Sequence, residues 1–128
     1  MNLKINESIK IKIYAKSKWN STLIEISENE EYEFNAIGNW KDLFITTDAD
    51  GFTCLYMQLF NSVKRAKRHK WFSLIGSLNQ KKDSYFLIGK HNIVSFKNCG
   101  NLYCFANDVN RFYWNNFGYL TLHIKRIN

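Results

Sequence analysis

Apolar and polar residues alternate with a period of two along most of this chain. Ile9, Ile11 and Ile13 alternate with Lys10, Lys12 and Tyr14; Leu23, Ile24 and Ile26 flank Glu25; Tyr32, Phe34 and Ala36 alternate with Glu33 and Asn35. Successive side chains of an extended chain point to opposite faces, so each stretch predicts a strand with one face buried and one face in water. Further strands are predicted over 52–60, 71–78, 85–88, 92–96, 100–105 and 118–127. Glu28-Asn29-Glu30-Glu31 and Asp48-Ala49-Asp50-Gly51 read as turns, because Asn and Asp bond their own backbone and Gly accepts a positive φ. No stretch shows the 3.6-residue period of an amphipathic helix. Eight or nine short strands with no helix predict an all-β fold, an antiparallel β-sandwich. There is no internal repeat, linker or composition break, so 1–128 is expected to be one domain.

Composition narrows the classes. Hydrophobic residues make up 45% of the chain and aromatic residues 16%, which excludes a disordered chain. No run approaches the roughly 18 apolar residues of a membrane span. The opening Met1-Asn2-Leu3-Lys4-Ile5-Asn6-Glu7 lacks the apolar core of a secretory signal, which predicts a cytoplasmic location and leaves a non-classical export route open. Cys54, Cys99 and Cys104 are odd in number and lack a CxxC spacing, as expected of reduced thiols. His69, His91 and His123 are scattered, and no Ser, Cys or carboxylate pair stands in a nucleophile or glycosidase context, so no enzymatic activity is expected.

Charge adds a second theme. The chain carries a formal net charge of +7, and Lys64, Arg65, Lys67, Arg68 and Lys70 crowd into one segment, followed by Lys81-Lys82. Two readings stay open. One is a solvated basic loop; the other is a polyanion-binding patch for sulfated or phosphorylated glycan, anionic lipid or nucleic acid. The run lacks the interleaved aromatic residues that stack bases, which argues against nucleic acid, although Trp71 and Phe72 follow it.

The most specific chemistry lies in Asn107-Asp108-Val109-Asn110-Arg111-Phe112-Tyr113-Trp114-Asn115-Asn116-Phe117-Gly118, between two alternating stretches. One carboxylate, two adjacent amides and free main-chain carbonyls would suit Ca2+, which takes about six to eight oxygen ligands. The plainer alternative is an Asn-rich turn capped by its own side chains.

This segment, with Asn-Asp-Val followed by Asn-Asn-x-Gly and an alternating terminal strand, resembles the bacterial calcium-dependent galactophilic lectins of the PA-I type. Ala36-Ile37-Gly38-Asn39-Trp40 is similar to the Ala-Gly-Trp corner of those lectins, and the strand from Gly100 to Phe105 stands where their penultimate strand enters the calcium loop; residues 44–86 align with nothing. The resemblance implies a jelly roll of galactose-binding-domain type, a galactose-type glycan as ligand, and a tetramer, hence a possible homo-oligomer here. It makes Asp108, Asn115 and Asn116 side-chain ligands of Ca2+. Main-chain carbonyls of Phe112 and Leu43 complete the set, with the Asp42 carboxylate as alternative to the latter. Asp108, Asn115 and the Val109 amide would bond sugar hydroxyls beside Phe112.

Departures from the family concern the rim. Its loop His and Gln have no counterpart in 48–60, its Pro-Gly is Asn110-Arg111, and its small residues are Trp114 and Phe117. Trp114, Tyr113 or Trp40 would stack on a sugar ring, or else pack in the core. The loss of the His and Gln leaves a third possibility, a non-catalytic interaction protein that keeps the fold without binding sugar.

Overall fold

The computed structural model describes residues 1–128 and consists of two antiparallel sheets packed face to face. The first contains β1 (Ser8–Tyr14), β3 (Glu31–Ile37), β4 (Trp40–Asp42), β5 (Ile45–Thr47), β8 (His91–Ser95) and β10 (Asn116–Arg126). The second contains β2 (Asn20–Ile26), β6 (Leu74–Leu78), β7 (Phe86–Leu87) and β9 (Gly100–Ala106), in the order β2-β9-β6-β7. No helix is long and apolar enough to cross a membrane. The period-two pattern accounts for this sandwich: Ile13, Phe34, Leu120, Leu122 and Ile124 of the first sheet meet Ile24, Leu74, Leu102 and Cys104 of the second in one buried cluster.

Strand β10 organises the first sheet. One edge pairs with β1, from Tyr14 opposite Tyr119 to Ser8 opposite Lys125. The other edge pairs first with β3 and then with β4, in registers Ile37↔Thr121 and Trp40↔Gly118. Between them Gly38, at φ 106°, lets the chain leave the edge and rejoin it two residues later, a conformation that a side chain resists. The return places Asp42 directly opposite Asn116.

Two sequence expectations change. Residues 52–60 do not form a strand: Phe52 makes a single bridge to Trp71, and Tyr56–Val63 is a 3₁₀ helix with no buried residue. The apolar residues Leu55, Tyr56, Met57, Leu59, Phe60 and Val63 recur at intervals of one, one, two, one and three, which no strand alternation fits and which gathers most of them on one side of a helix. In β2 the register shifts between Ser21 and Glu25, and Leu23 adopts φ 63° and faces solvent. This bulge resolves the adjacent Leu23-Ile24 pair, since Thr22, Ile24 and Ile26 are then the inward residues. All three cysteines are free thiols.

Trp40 belongs to the core. It is 1% exposed, packs edge-on against Phe72 and donates its indole N–H to the Phe72 carbonyl at 3.1 Å. It anchors the strand that carries Asp42. Trp40→Phe leaves that carbonyl without its donor and is expected to cost about 1–3 kcal/mol in urea unfolding; an unchanged midpoint would show that the indole N–H is dispensable.

Candidate cation-binding site

β9 ends at Ala106 and β10 begins at Asn116, and the chain between them turns through a 3₁₀ helix, Asn110–Asn115. Asp108 and Asn116 are buried at the two ends of this turn. Asp108 Oδ1 accepts the Val109 N–H at 2.7 Å, while Oδ2 is sealed from solvent with no hydrogen-bond partner. Asn116 Nδ2 donates to the Ala15 carbonyl at 3.1 Å, which leaves its Oδ1 sealed and unpaired. Asn115 Oδ1 is sealed and unpaired as well. Buried acceptors are almost always satisfied, because an unpaired one costs about 1–3 kcal/mol. Three in one turn, two of them on adjacent residues, mark a place that calls for positive charge.

The facing wall comes from β4 and the residue after it. Asp42 is buried opposite Asn116, and Leu43 adopts φ 57° while its N–H donates to the Asn115 carbonyl at 2.8 Å. Asp42, Leu43, Asp108, Phe112 and Asn115 line one cleft of about 170 Å³. Burial raises the Asp42 carboxyl above its ordinary range. Burial also pushes Asp108 up to about 6; the Val109 N–H opposes this rise, and the Asp42 charge adds to it. Two carboxyls that resist ionisation, among amide oxygens without donors, fit a hard divalent cation whose charge would hold both ionised.

The structure thus places Asp108, Asn115, Phe112 and Leu43 on one cleft, with Asp42, the expected alternative to Leu43, beside them; Asn116 does not line the cleft but lies opposite Asp42 in the sheet. It corrects three expectations. The Val109 N–H is engaged by Asp108 and is not free for a ligand. Tyr113 is buried, donating its hydroxyl to the Ala106 carbonyl and accepting from Arg65 Nη1 at 2.8 Å, so it cannot stack on a sugar. Trp40 is sealed in the core. Trp114 is 69% exposed but does not line the cleft. The apolar wall is formed instead by Phe44, Tyr56, Met57 and Phe60 with Phe112. The helical spacing of residues 55–63 was the available signal for part of that wall.

The basic run also departs from a uniformly solvated face. Lys67, Arg68 and Lys70 are exposed, but Lys64 and Arg65 are each only 6% exposed. Lys64 bridges Val109 through the backbone, and the Arg65 N–H donates to the Asp108 carbonyl at 3.2 Å. Fully buried Asn107 accepts from the Ala66 N–H and donates to the carbonyls of Ala66, His69 and Lys70 at 2.9–3.2 Å. One side chain therefore fastens the basic segment to the residue before Asp108.

The fold is therefore an antiparallel sandwich with a largely apolar cleft that carries Asp42, Asp108 and Asn115 on its lining. Among solved structures, eight chains match, and one of them, "EclA N-terminal domain; PllA-like lectin", superposes with a TM-score of 0.67 over 91% of this chain and 94% of its own at 19% identity. At that identity the likeness establishes the fold. No family model and no curated protein matches the sequence.

Proposed function

We propose that this protein is a calcium-dependent carbohydrate-binding protein whose cleft between β4 and the 107–116 turn takes a galactose-type glycan. The observation that carries the proposal is the set of sealed, donorless oxygens on Asp108, Asn115 and Asn116 beside the buried Asp42. Those four side chains, with the Leu43 and Phe112 carbonyls, would hold the ion. When bound, calcium supplies fixed positive charge and coordination positions that vicinal hydroxyls fill. The chain does the rest. Phe112 and Tyr56 offer apolar faces against which the C–H face of a pyranose packs, and they shed water from the cleft. The left-handed turn at Leu43 and the cross-link from its N–H to the Asn115 carbonyl hold the two walls at fixed spacing before ligand arrives. The similarity to a structure described as a lectin supports the reading.

Recognition of this kind makes no covalent bond and competes with water, so single-site affinity is expected in the range of about micromolar to millimolar. The protein is expected to be retained on immobilised galactose in calcium and released by EGTA, and Asp108→Ala is expected to flow through. Retention that survives both EGTA and the substitution would refute the proposal.

A further inference from the structure

A second cleft, of about 360 Å³, lies across Val109 from the first; Val109 lines both. Its walls carry Lys64, Arg65, Lys67, Lys82 and Arg111 together with Tyr85, and no carboxylate lines it. None of the five cations forms a salt bridge anywhere in the protein. For Lys67, Lys82 and Arg111, which are exposed, this is unremarked surface chemistry. For Lys64 and Arg65 it is not, because a buried cation without a counterion is costly.

Arg65 shows how the cost is contained. Its guanidinium lies 3.5 Å from the centre of the Phe105 ring and 4.4 Å from that of Trp19, and Nη1 donates to the Lys18 carbonyl at 2.7 Å and to the Tyr113 hydroxyl at 2.8 Å. These partners are neutral. They fix the position of the fork without cancelling its charge, while Nε and Nη2 donate to no protein atom and are not sealed from solvent. Lys64 likewise rests 5.0 Å from the Trp71 ring centre, and burial lowers its affinity for the proton. A partly desolvated fork held by several contacts, with free donors and ringed by exposed cations, matches a tetrahedral or planar oxyanion.

We propose that this second cleft is an anion subsite, which takes a sulfate, phosphate or carboxylate group carried by a glycan whose hydroxyls occupy the neighbouring cation site. The inference rests on the carbohydrate reading above for its ligand, but the cleft and its charge stand independently of it. The two subsites are held in register. The Asn107 clamp, the Lys64 bridge to Val109 and the Arg65 N–H bond to the Asp108 carbonyl tie the basic segment to the cation-site turn. Neutral and acidic sugars should therefore be distinguished by the second cleft, while the first binds the feature they share.

The test compares wild type with the triple variant Lys67→Gln, Lys82→Gln, Arg111→Gln, all at exposed positions, so that the fold is spared. Calorimetry in calcium uses galactose, galactose 3-sulfate, galactose 6-sulfate, galactose 6-phosphate and galacturonic acid. At least one acidic sugar is expected to bind wild type about tenfold or more tightly than galactose, and the triple variant is expected to lose that preference while keeping its affinity for galactose. Which of the three groups gains most identifies the source of the anion. Equal affinity for all five sugars, or a preference that survives in the triple variant, would overturn the proposal.

A separate arm measures thermal stabilisation by sodium sulfate in EGTA, with sodium chloride at matched ionic strength as control. Stabilisation of wild type but not of the triple variant, with no sugar bound in calcium, would uphold the anion cleft and refute the carbohydrate reading. Galactose binding without any sulfate effect or acidic preference would do the reverse. A single-stranded oligonucleotide that binds in EGTA more tightly than every acidic sugar, and is lost in the triple variant, would assign the cleft to nucleic acid and overturn the glycan proposal.

Discussion

Calcium in about hundredfold excess over its dissociation constant is expected to raise the melting temperature at pH 7.5 by roughly 8–14 °C. Saturation at that level adds about 2.7 kcal/mol, and each kcal/mol moves the midpoint of a domain this size by about 3–5 °C. Asp108→Asn should abolish the response. It should also make the metal-free protein more stable than wild type at pH 7.5 by about 1–3 kcal/mol. Asp108 ionises in the native state at about 6, above the ordinary 3.8, so native protein binds more protons than unfolded chain between those values. Metal-free wild type therefore loses stability as pH rises from about 4 to 6, by about 3 kcal/mol in all, and is level above. The asparagine is neutral at every pH and so removes that loss. Calcium acts in the opposite direction, because it binds the ionised carboxylates: its stabilisation should grow through pH 6 and fade below it. Thermal shift across pH 4.5–8 with calcium or EGTA reads all of these effects. A calcium response that is flat with pH, or intact in Asp108→Asn, would contradict them.

Asn107→Ala is expected to be the most damaging polar substitution in the protein, at about 3–5 kcal/mol in urea unfolding. The side chain makes four hydrogen bonds to the backbone of residues 66–70 and is fully buried. Alanine would leave the Ala66 N–H and the His69 carbonyl without partners where water does not reach readily, and would take one donor each from the Ala66 and Lys70 carbonyls, which keep the His69 N–H and Ser73. The backbone bonds of Asn107 to Phe72 and Ser73 remain, so the fold should survive with a loosened basic segment. Calcium affinity should fall with it, since Asp108 is the next residue and its carbonyl accepts from Arg65. A loss below about 1 kcal/mol would mean that the segment is held by the aromatic cage around Arg65 alone.

The parts of the fold legible in the sequence were those with enough residues to show a period. β1, β3 and β10 alternate over seven or more residues against a buried face, and the chain pattern displays them directly. β4 and β5 have three residues each, too few for any period, and exist because β10 offers an edge beyond Gly38. The 3₁₀ helix at Tyr56–Val63 was obscured because its apolar residues face outward, contrary to the assumption that apolar positions mark a core. At the site, Asp108, Asn115 and Asn116 stood out as neighbouring oxygens in one short segment. The contribution of Asp42 depends on a strand register linking positions 74 residues apart, which local spacing cannot express. The basic run looked uniform for a related reason. Whether a cation is solvated or stacked is decided by Trp19, Phe105 and Tyr113, which belong to other parts of the chain.

Calorimetric titration of galactose into calcium-loaded protein and into protein in EGTA asks whether the cleft takes sugar through bound calcium. Saturable binding near one site per chain is expected in calcium, and no heat of binding in EGTA. Identical isotherms in the two buffers, or no binding of galactose at millimolar concentration by protein that demonstrably holds calcium, would contradict this expectation.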